Sequence, residues 1–421
     1  MNRREFLMAS MGAGIASTIK LEGQTPPPAE KTGVVEVGEM LDPNNLICVK
    51  PHVQLISETE VGLVWMTSKE AEGWVEWSQD DGETWKRAWN ERDGLLVDAC
   101  DRIHKITVSG YSPAKPFRYR VRSRAFTSFG PYRVVRSAEE AVYEGEINAV
   151  LPADGTISFA MFNDVHNKLE IYPALCKRLE GALSFTVFNG DIMNHIDDEP
   201  GVCKCLMAPL AYVARQTRAP MWYLRGNHET RGKFARHLRD YVALQNGHYY
   251  GAVTLGNARF VFVDTGEDKT DDHKEYSGLV NFEHYIAHQT QWLAEEVSSP
   301  AWKDAKFRVV FMHIPPDGVC GSGRIWSQRL PRVRKLHAVL ENAGVTLLLG
   351  AHLHNWACDD ARPERPYPMV IGGGNNLATT RQWSLPTLTH CTIQGNALTV
   401  KLLSSEGKVL AEKTVTADAA S

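Results

Sequence analysis

The sequence predicts two structural regions of different class, an all-β region followed by an α/β region. The chain has 421 residues, which is more than one ordinary hydrophobic core accommodates, so two domains are expected. From about residue 34 to residue 141, short alternating runs of apolar and polar residues are separated by turn residues at sandwich-like intervals. From residue 157 onward, strand-like runs alternate with helical patterns, which indicates a mostly parallel sheet covered by helices.

The first thirty residues have the pattern of an export signal and a linker. Arg3 and Arg4 precede a short apolar segment rich in glycine and alanine, residues 7–19, and a proline-containing stretch follows at 23–31. A charged start, a short apolar middle and small residues are typical of an export signal rather than a membrane span. Paired arginines followed by x-Phe-Leu are typical of the twin-arginine type, with an ordinary Sec signal as the alternative. We therefore predict a periplasmic or otherwise exported protein with no transmembrane anchor after signal removal.

Residues 31–150 are predicted to form an all-β sandwich without catalytic chemistry. Trp65 and Trp74 fit the core of such a sandwich better than a ligand site, and the region has no cluster of histidine, cysteine or carboxylate residues. The predicted strands of this region span residues 49–56, 61–66, 73–78, 102–108 and 118–125.

In the second region, five predicted strands are followed closely by Asp, Asn or His residues. In open α/β sheets, ligands bind outside the carboxyl ends of the strands, so these side chains are expected at one edge of the sheet. The strands are predicted at residues 157–162, 184–188, 221–224, 307–312 and 345–349. The helices are predicted at residues 170–181, 204–217, 234–244, 282–297 and 327–342, and β-structure closes the chain between residues 367 and 415.

Seven polar side chains follow these strands and form a candidate metal centre. Carboxylate, amide and imidazole groups suit two divalent first-row metals, and one aspartate can bridge two ions because it has two oxygens. For each histidine alone, a hydrogen-bonded structural role is the alternative, but the ordered set favours the metal centre. Glycines beside the set, Gly190, Gly226 and Gly350, allow backbone to approach closely. The seven residues are Asp164, His166, Asp191, Asn227, His313, His352 and His354.

Composition argues against a nucleic-acid-binding protein. The formal net charge of −4 provides no basic surface for a phosphate backbone. The eight cysteines are scattered, and the close pair Cys203 and Cys205 does not match zinc-finger spacing. We interpret most of the cysteines as small buried hydrophobic residues.

Five ordered motifs between residues 157 and 373 resemble the calcineurin-like metallophosphoesterase superfamily. They are Asp-x-His, Gly-Asp, Gly-Asn-His-Glu, a lone His after an apolar strand, and Gly-x-His-x-His, which differs by one residue from a plain Gly-His-x-His. The resemblance implies that residues 151–421 form a β-sandwich flanked by helices with a dimetal centre at one end. It implies that the first metal is held by Asp164, His166, Asp191 and His354. It implies that the second is held by Asp191, Asn227, His313 and His352, with Asp191 bridging.

The resemblance also implies roles for the residues around these ligands. His228 and Asp191 would be the catalytic residues. His228 would donate a proton or contact phosphate, and Asn227 would also bind substrate. Arg225 is a candidate phosphate contact, with a structural salt bridge as the alternative, and His195 is a candidate substrate contact. Glu229 is expected to orient a histidine, and the acidic run 267–272 is expected to be a solvated face.

The N-terminal region is similar to the fibronectin-III-like domain that precedes the catalytic domain in purple acid phosphatases. The likeness rests on residues 104–108, 111–113 and 117–121. Two departures matter. Asn194 stands where those enzymes have a metal-binding tyrosine, and Asp164-Val165-His166 stands in place of Asp-x-Gly. Without tyrosinate we predict a colourless or pale protein, and Mn, Zn and Fe remain open as the metals.

Together these features predict an exported, dimetal-dependent phosphoesterase. It would hydrolyse small phosphate esters by attack of a metal-activated hydroxide on phosphorus, and phosphomonoesters are slightly favoured because of the N-terminal region. A phosphodiesterase acting on nucleotides or glycerophospho compounds is the first alternative. A non-catalytic, metal-containing binding protein is the second. The oligomeric state does not follow from the sequence.

Overall fold

The computed structural model describes residues 29–320, 323–326 and 330–417. The predicted export signal lies outside these residues except for its last two positions, and residues 327–329 of the last predicted helix lie outside them as well. Within the described part of the chain, none of the helices has both the length and the apolar character needed to cross a bilayer.

The N-terminal region is almost entirely β-structure. A helix, α1, precedes it at Ala29–Gly38. The strands are β1 (Ile47–Ser57), β2 (Glu60–Ser78), β3 (Lys86–Ala88), β4 (Glu91–Arg92), β5 (Leu96–Val97), β6 (Asp101–Ser109), β7 (Phe117–Gly130), β8 (Arg133–Arg136) and β9 (Ala141–Ile147).

The second region alternates strands and helices, as the sequence predicts. Its first half comprises β10 (Ile157–Phe162), α2 (Ile171–Cys176), β11 (Phe185–Asn189), α3 (Glu199–Val202), a π-helical turn (Cys203–Met207), α4 (Ala208–Thr217), β12 (Met221–Leu224), β13 (Gly251–Leu255) and β14 (Ala258–Val263). Its second half comprises α5 (Phe282–Glu296), α6 (Pro300–Lys303), β15 (Phe307–Met312), β16 (Asp317–Cys320), β17 (Gly323–Trp326), α7 (Pro331–Leu340), β18 (Leu347–Gly350), β19 (Ala357–Asp359), β20 (Met369–Ile371), β21 (Thr387–Gln394), β22 (Ala397–Ser404) and β23 (Val409–Thr416). Short 3₁₀ helices lie at His228–Thr230, Ala235–Asp240, Gln245–Gly247 and Gln382–Ser384.

Two sheets, rather than one, form the centre of the fold. The first has the order β23-β22-β21-β10-β11-β12-β1-β2-β7-β8, and the second has the order β13-β14-β15-β18-β20-β19. Strands β10, β11 and β12 are parallel neighbours in the first sheet, and β14, β15, β18 and β20 are parallel neighbours in the second. This arrangement brings the carboxyl ends of two parallel strand sets together.

The main core lies between the two sheets, and helices cover their outer faces. Phe159 of the first sheet packs against Phe260 of the second with ring centroids 5.4 Å apart. Leu175 of α2 and Leu210 of α4 belong to the core on the outer face of the first sheet. Helices α5 and α7 pack on the second sheet in the same way. The α/β fold predicted for this region is therefore confirmed, and its layers are helix, sheet, sheet and helix.

The N-terminal strands are continuous with the first sheet of the second region. Strand β1 pairs in parallel with β12 through Gln54 and Met221. Residues 61–66 of β2 pair with β1 and β6, whereas residues 71–78 pair with β7. The predicted strands 61–66 and 73–78 are therefore parts of one long strand. Trp65 and Trp74 are buried, as expected of core residues. The fibronectin-III-like identity and the boundary at residue 150 stay predictions.

The helix predicted at residues 234–244 is wrong in type and length. The chain forms only the 3₁₀ helix Ala235–Asp240 there. The backbone N–H of Ala243 donates to the buried Gln54 side chain of β1, a tertiary contact that replaces a helical hydrogen bond. The seven cysteines with described side chains are free, and Cys48, Cys203 and Cys391 are buried.

Candidate metal centre

The seven predicted metal ligands lie where the carboxyl ends of five strands from the two sheets meet. Asp164, Asp191 and Asn227 follow the neighbouring strands β10, β11 and β12 of the first sheet. His313 follows β15 of the second sheet. His352 and His354 follow its neighbour β18.

A first group of ligand atoms is formed by Asp164, His166, Asp191 and His354. One ligand atom from each of them lies within 4.8 Å of all the others. His166 Nε2 is 3.0 Å from His354 Nε2 and 3.5 Å from Asp191 Oδ2. His354 Nε2 is 3.4 Å from Asp164 Oδ1. Two imidazoles and two carboxylates therefore face one point.

A second group shares Asp191 with the first. His313 Nε2 is 3.2 Å from Asp191 Oδ2, and one ligand atom each from Asp191, His313 and His352 lie within 4.8 Å of one another. The side-chain oxygen of Asn227 is 3.2 Å from His313 Nε2 and 3.0 Å from His352 Nδ1. Asp191 Oδ2 is thus the atom common to both groups, since Oδ1 accepts the backbone N–H of His228.

The backbone at this edge is held in an unusual conformation. Asp164, His166, Asp191, His352 and His354 have φ angles of 51°, 50°, 53°, 70° and 53°. Left-handed backbone is uncommon for residues other than glycine, and where it clusters it is a feature of functional sites. Five of the seven predicted ligands therefore carry local strain that the surrounding fold must support.

Glycine and a buried carboxylate hold the loops of Asp191 and Asn227 together. A Cβ added to Gly226 would lie 2.3 Å from Asp191 Oδ1, so only glycine fits there without a shift of Asp191. Glu229 is fully buried, and its Oε2 accepts the backbone N–H groups of Asp191 and Gly226 at 2.9 Å. Its Oε1 accepts the N–H of Met193 at 2.8 Å. Glu229 therefore orients backbone, not a histidine as the sequence led us to expect.

The charges of the cluster favour a cation at its centre. Burial lowers the pKa of both His166 and His352 to about 4, so these imidazoles are neutral at pH 7 and have a lone pair to offer a metal. Although burial disfavours the imidazolium of His313, the Asp191 carboxylate raises the pKa of His313 to about 10. Burial alone would raise the pKa of Asp191, but His313 holds it well below its usual range.

The donor set fits two divalent cations. Asp164 Oδ1 is buried and has no hydrogen-bond partner, which is costly unless a cation lies beside it. Asp164 Oδ2 is already used, since it accepts the N–H of His352 at 2.9 Å and the amide of Asn163 at 2.7 Å. Mixed imidazole and carboxylate donors are the kind of ligands that Zn, Mn and Fe accept.

His228 lies beside the cluster and is fixed by its neighbours. Its Nδ1 is 2.7 Å from the carbonyl oxygen of Asn194, and its ring centroid is 4.6 Å from that of His166. The Asn194 side-chain oxygen is 3.1 Å from His166 Nδ1. Asn194, the position that departs from the tyrosine pattern, thus orients two imidazoles at once. His228 Nε2 is 3.9 Å from Asp191 Oδ2, on the open side of the cluster.

Two predicted substrate contacts make their interactions elsewhere. The Arg225 guanidinium donates to Asp264 Oδ2 at 2.7–3.0 Å and lies over the Tyr249 ring, so the structure favours the salt-bridge alternative. His195 is 56% exposed and pairs with Asp197 at 3.1 Å. We therefore leave Arg225 and His195 out of the mechanism below.

The expectation of a solvated acidic face at residues 267–272 is wrong for its first member. Glu267 is 1% exposed and accepts from Asn227 Nδ2 at 3.2 Å and from Arg231 Nε at 2.8 Å. Arg231 in turn has Nη1 3.0 Å from His228 Nε2. The sequence offered a positional signal for each residue, but none for the contact between them. Arg231 is three positions after His228, and Glu267 follows β14, a parallel neighbour of β15.

Comparison with known proteins gives one matching family model and similar solved structures. Residues 157–356 match the family model described as calcineurin-like phosphoesterase. No curated protein sequence matches the chain. The structure is similar to a purple acid phosphatase, PPD1, from yellow lupin (Lupinus luteus) seeds, with a TM-score of 0.62 and 13% identity over 87% of this chain and 74% of that chain. It is also similar to PhoD, with a TM-score of 0.57 and 12% identity over 87% and 88% of the two chains. At these identities the two structures support the fold alone.

Proposed function

We propose that this chain is an exported enzyme that hydrolyses small phosphomonoesters. The premise is that it belongs to the calcineurin-like metallophosphoesterase superfamily and is a metal-dependent phosphoric ester hydrolase. The observation that carries the proposal is the position of Asp191 Oδ2, 3.5 Å from a histidine of the first ligand group and 3.2 Å from a histidine of the second. One carboxylate shared by two ligand groups is the requirement of a two-metal site.

We assign the first metal to Asp164, His166, Asp191 and His354, and the second to Asp191, Asn227, His313 and His352. The two groups of facing ligand atoms support this assignment. When bound, two divalent cations supply an activated water for attack on phosphorus and positive charge for the phosphoryl oxygens.

The remaining chemistry belongs to side chains of the protein. His228 lies on the open side of the cluster, where the ester oxygen of a bound substrate would leave. With Nδ1 donating to the carbonyl of Asn194, its Nε2 is the atom that delivers a proton to that oxygen. Glu229 keeps the backbone of Asp191 and Gly226 in place, so the ligands do not have to reorganise during turnover.

The test is hydrolysis of p-nitrophenyl phosphate compared with bis-p-nitrophenyl phosphate. The protein is stripped of metal and reloaded with Mn, Zn or Fe, and the variants Asp191→Ala and His228→Ala are measured beside it. Metal-dependent turnover that is faster on the monoester and lost in both variants is expected. Faster turnover of the diester would instead assign a phosphodiesterase, and metal binding without any turnover would contradict the catalytic proposal.

Export is proposed from the twin-arginine pattern near the N-terminus. The expected result is periplasmic protein whose mature N-terminus lies after the apolar segment 7–19. Recovery of uncleaved protein from the cytoplasmic fraction would contradict export and would leave the proposed chemistry unaffected.

A further inference from the structure

Arg231 has one nitrogen that its acidic partners leave available. The Glu267 carboxylate receives Nε at 2.8 Å and Nη2 at 3.0 Å, which fixes the plane of the guanidinium. Two other carboxylates make their nearest contacts on the same side, Glu275 to Nε at 3.1 Å and Asp268 to Nη2 at 3.9 Å. The third nitrogen, Nη1, faces away from this acidic side and lies 3.0 Å from His228 Nε2.

That nitrogen lies at the open side of the metal centre. His228 Nε2 is 3.9 Å from Asp191 Oδ2, so the His228 ring lies between Nη1 and the oxygen that both ligand groups share. The Arg231 side chain is 18% exposed, whereas Glu267 is fully buried beneath it. The guanidinium is therefore held by the buried Glu267 carboxylate and reaches the surface where a substrate would enter.

The same Glu267 carboxylate fixes a metal ligand. Asn227 Nδ2 donates to Glu267 Oε1 at 3.2 Å. With its nitrogen so engaged, the amide turns its oxygen toward His313 and His352, at 3.2 and 3.0 Å. Glu267 thus orients a metal-binding oxygen on one side and the guanidinium of Arg231 on the other.

We propose that Arg231 Nη1 donates a hydrogen bond to a non-bridging oxygen of the substrate phosphoryl group, and that Glu267 is the positioning residue for both Arg231 and Asn227. This inference rests on the proposed function. Nη1 is 3.0 Å from Nε2 and 3.4 Å from Nδ1 of His228, so it lies against the ring rather than on the Nε2 lone pair. When substrate binds, Nη1 donates to a phosphoryl oxygen while a protonated Nε2 keeps its proton for the leaving oxygen. A planar guanidinium pinned by a carboxylate suits this role because its remaining donor has a fixed direction.

The test uses the full-length, metal-loaded protein and the variants Arg231→Gln, Arg231→Lys and Glu267→Gln. Affinity for inorganic phosphate is measured by isothermal titration calorimetry, steady-state constants with p-nitrophenyl phosphate, bound metal by mass spectrometry and folding by thermal unfolding. Arg236→Gln is the matched control, since that exposed arginine on the same segment contacts the Leu279 carbonyl instead of His228.

For Arg231→Gln we expect phosphate affinity and kcat/KM to fall about 10- to 100-fold, the effect of losing one charge-assisted hydrogen bond, with two metals still bound. Arg231→Lys should recover only part of the loss, because an ammonium cannot reproduce the planar arrangement of guanidinium donors. Glu267→Gln should weaken phosphate binding and also lower the occupancy of the second metal. Arg236→Gln should resemble the wild type.

Phosphate affinity unchanged in a folded Arg231→Gln variant would overturn the inference. So would a loss of metal in Arg231→Gln equal to that in Glu267→Gln, because the arginine would then be only structural. Since phosphate binding is measured without turnover, a wild type that binds phosphate through Arg231 but hydrolyses neither ester would refute the proposed function alone.

Discussion

Glu229 is a side chain outside the metal ligands whose removal the structure predicts to be costly. Its two oxygens accept three buried backbone N–H groups, those of Asp191, Met193 and Gly226, at 2.8–2.9 Å. In Glu229→Ala these three donors lose their acceptor in a site with no exposed surface. At about 1 kcal/mol or more for each, the free energy of unfolding should fall by about 3 kcal/mol or more. Glu229→Gln should lose less, because its amide oxygen still accepts from one side.

The assay is urea unfolding of the metal-free protein at neutral pH, which separates the loops' own stability from metal binding. The control is Glu295→Ala, which removes an exposed carboxylate from α5 and should change the unfolding free energy by less than about 0.5 kcal/mol. If Glu229→Ala unfolds within about 1 kcal/mol of the wild type, the role assigned to Glu229 is refuted.

Three further predictions follow from single residues. Burial lowers the pKa of His52 to about 3, whereas in the unfolded chain it is about 6.5. Below pH 6.5 the contribution of His52 should therefore lower the stability by about 1.4 kcal/mol per pH unit, or about 3 kcal/mol by pH 4.5. In urea unfolding from pH 7 to 4.5, His52→Leu should flatten this slope, and an unchanged slope would contradict the assignment. Because Asn194 occupies the tyrosine position, the iron-loaded protein should be colourless or pale, and an intense visible absorption band would be the contrary result. His228→Asn should keep both metals while kcat falls about 10²- to 10⁴-fold; loss of metal, or full activity, would refute its role as proton donor.

The ligands of the candidate metal centre could be predicted because they depend on local pattern. Each follows a short apolar strand, and parallel strands place such positions at one edge of the sheet regardless of the conformation of the loops. The pairing of Asp164 with His354 across the two sheets needed only that both sheets present their carboxyl ends to the same space.

The contacts made by loops could not be predicted, because they depend on residues far apart in sequence. Glu267 is buried partly because Arg332 of α7, sixty-five positions later, donates to the Glu267 and Lys269 carbonyls and pairs with Asp271. An acidic run in a loop has no periodicity that would reveal such a contact. The role of Arg231 could not be predicted for the same reason, since its position depends on Glu267.

The N-terminal strands illustrate a different limit. The alternation of apolar and polar residues identified the β-structure correctly, but it carries no information about which strand is the neighbour. The parallel pairing of β1 with β12, which joins the N-terminal strands to the first sheet, links residues more than 160 positions apart.

The most direct test of the central claim is the activity of metal-free protein titrated with Mn or Zn, with bound metal counted in parallel. If Asp191 were a ligand of two cations, turnover of p-nitrophenyl phosphate would rise until two equivalents are bound per chain. The Asp191→Ala variant would then bind fewer than two and be inactive. Full activity with one equivalent bound, or an Asp191→Ala variant that keeps two metals and its turnover, would contradict the two-metal account.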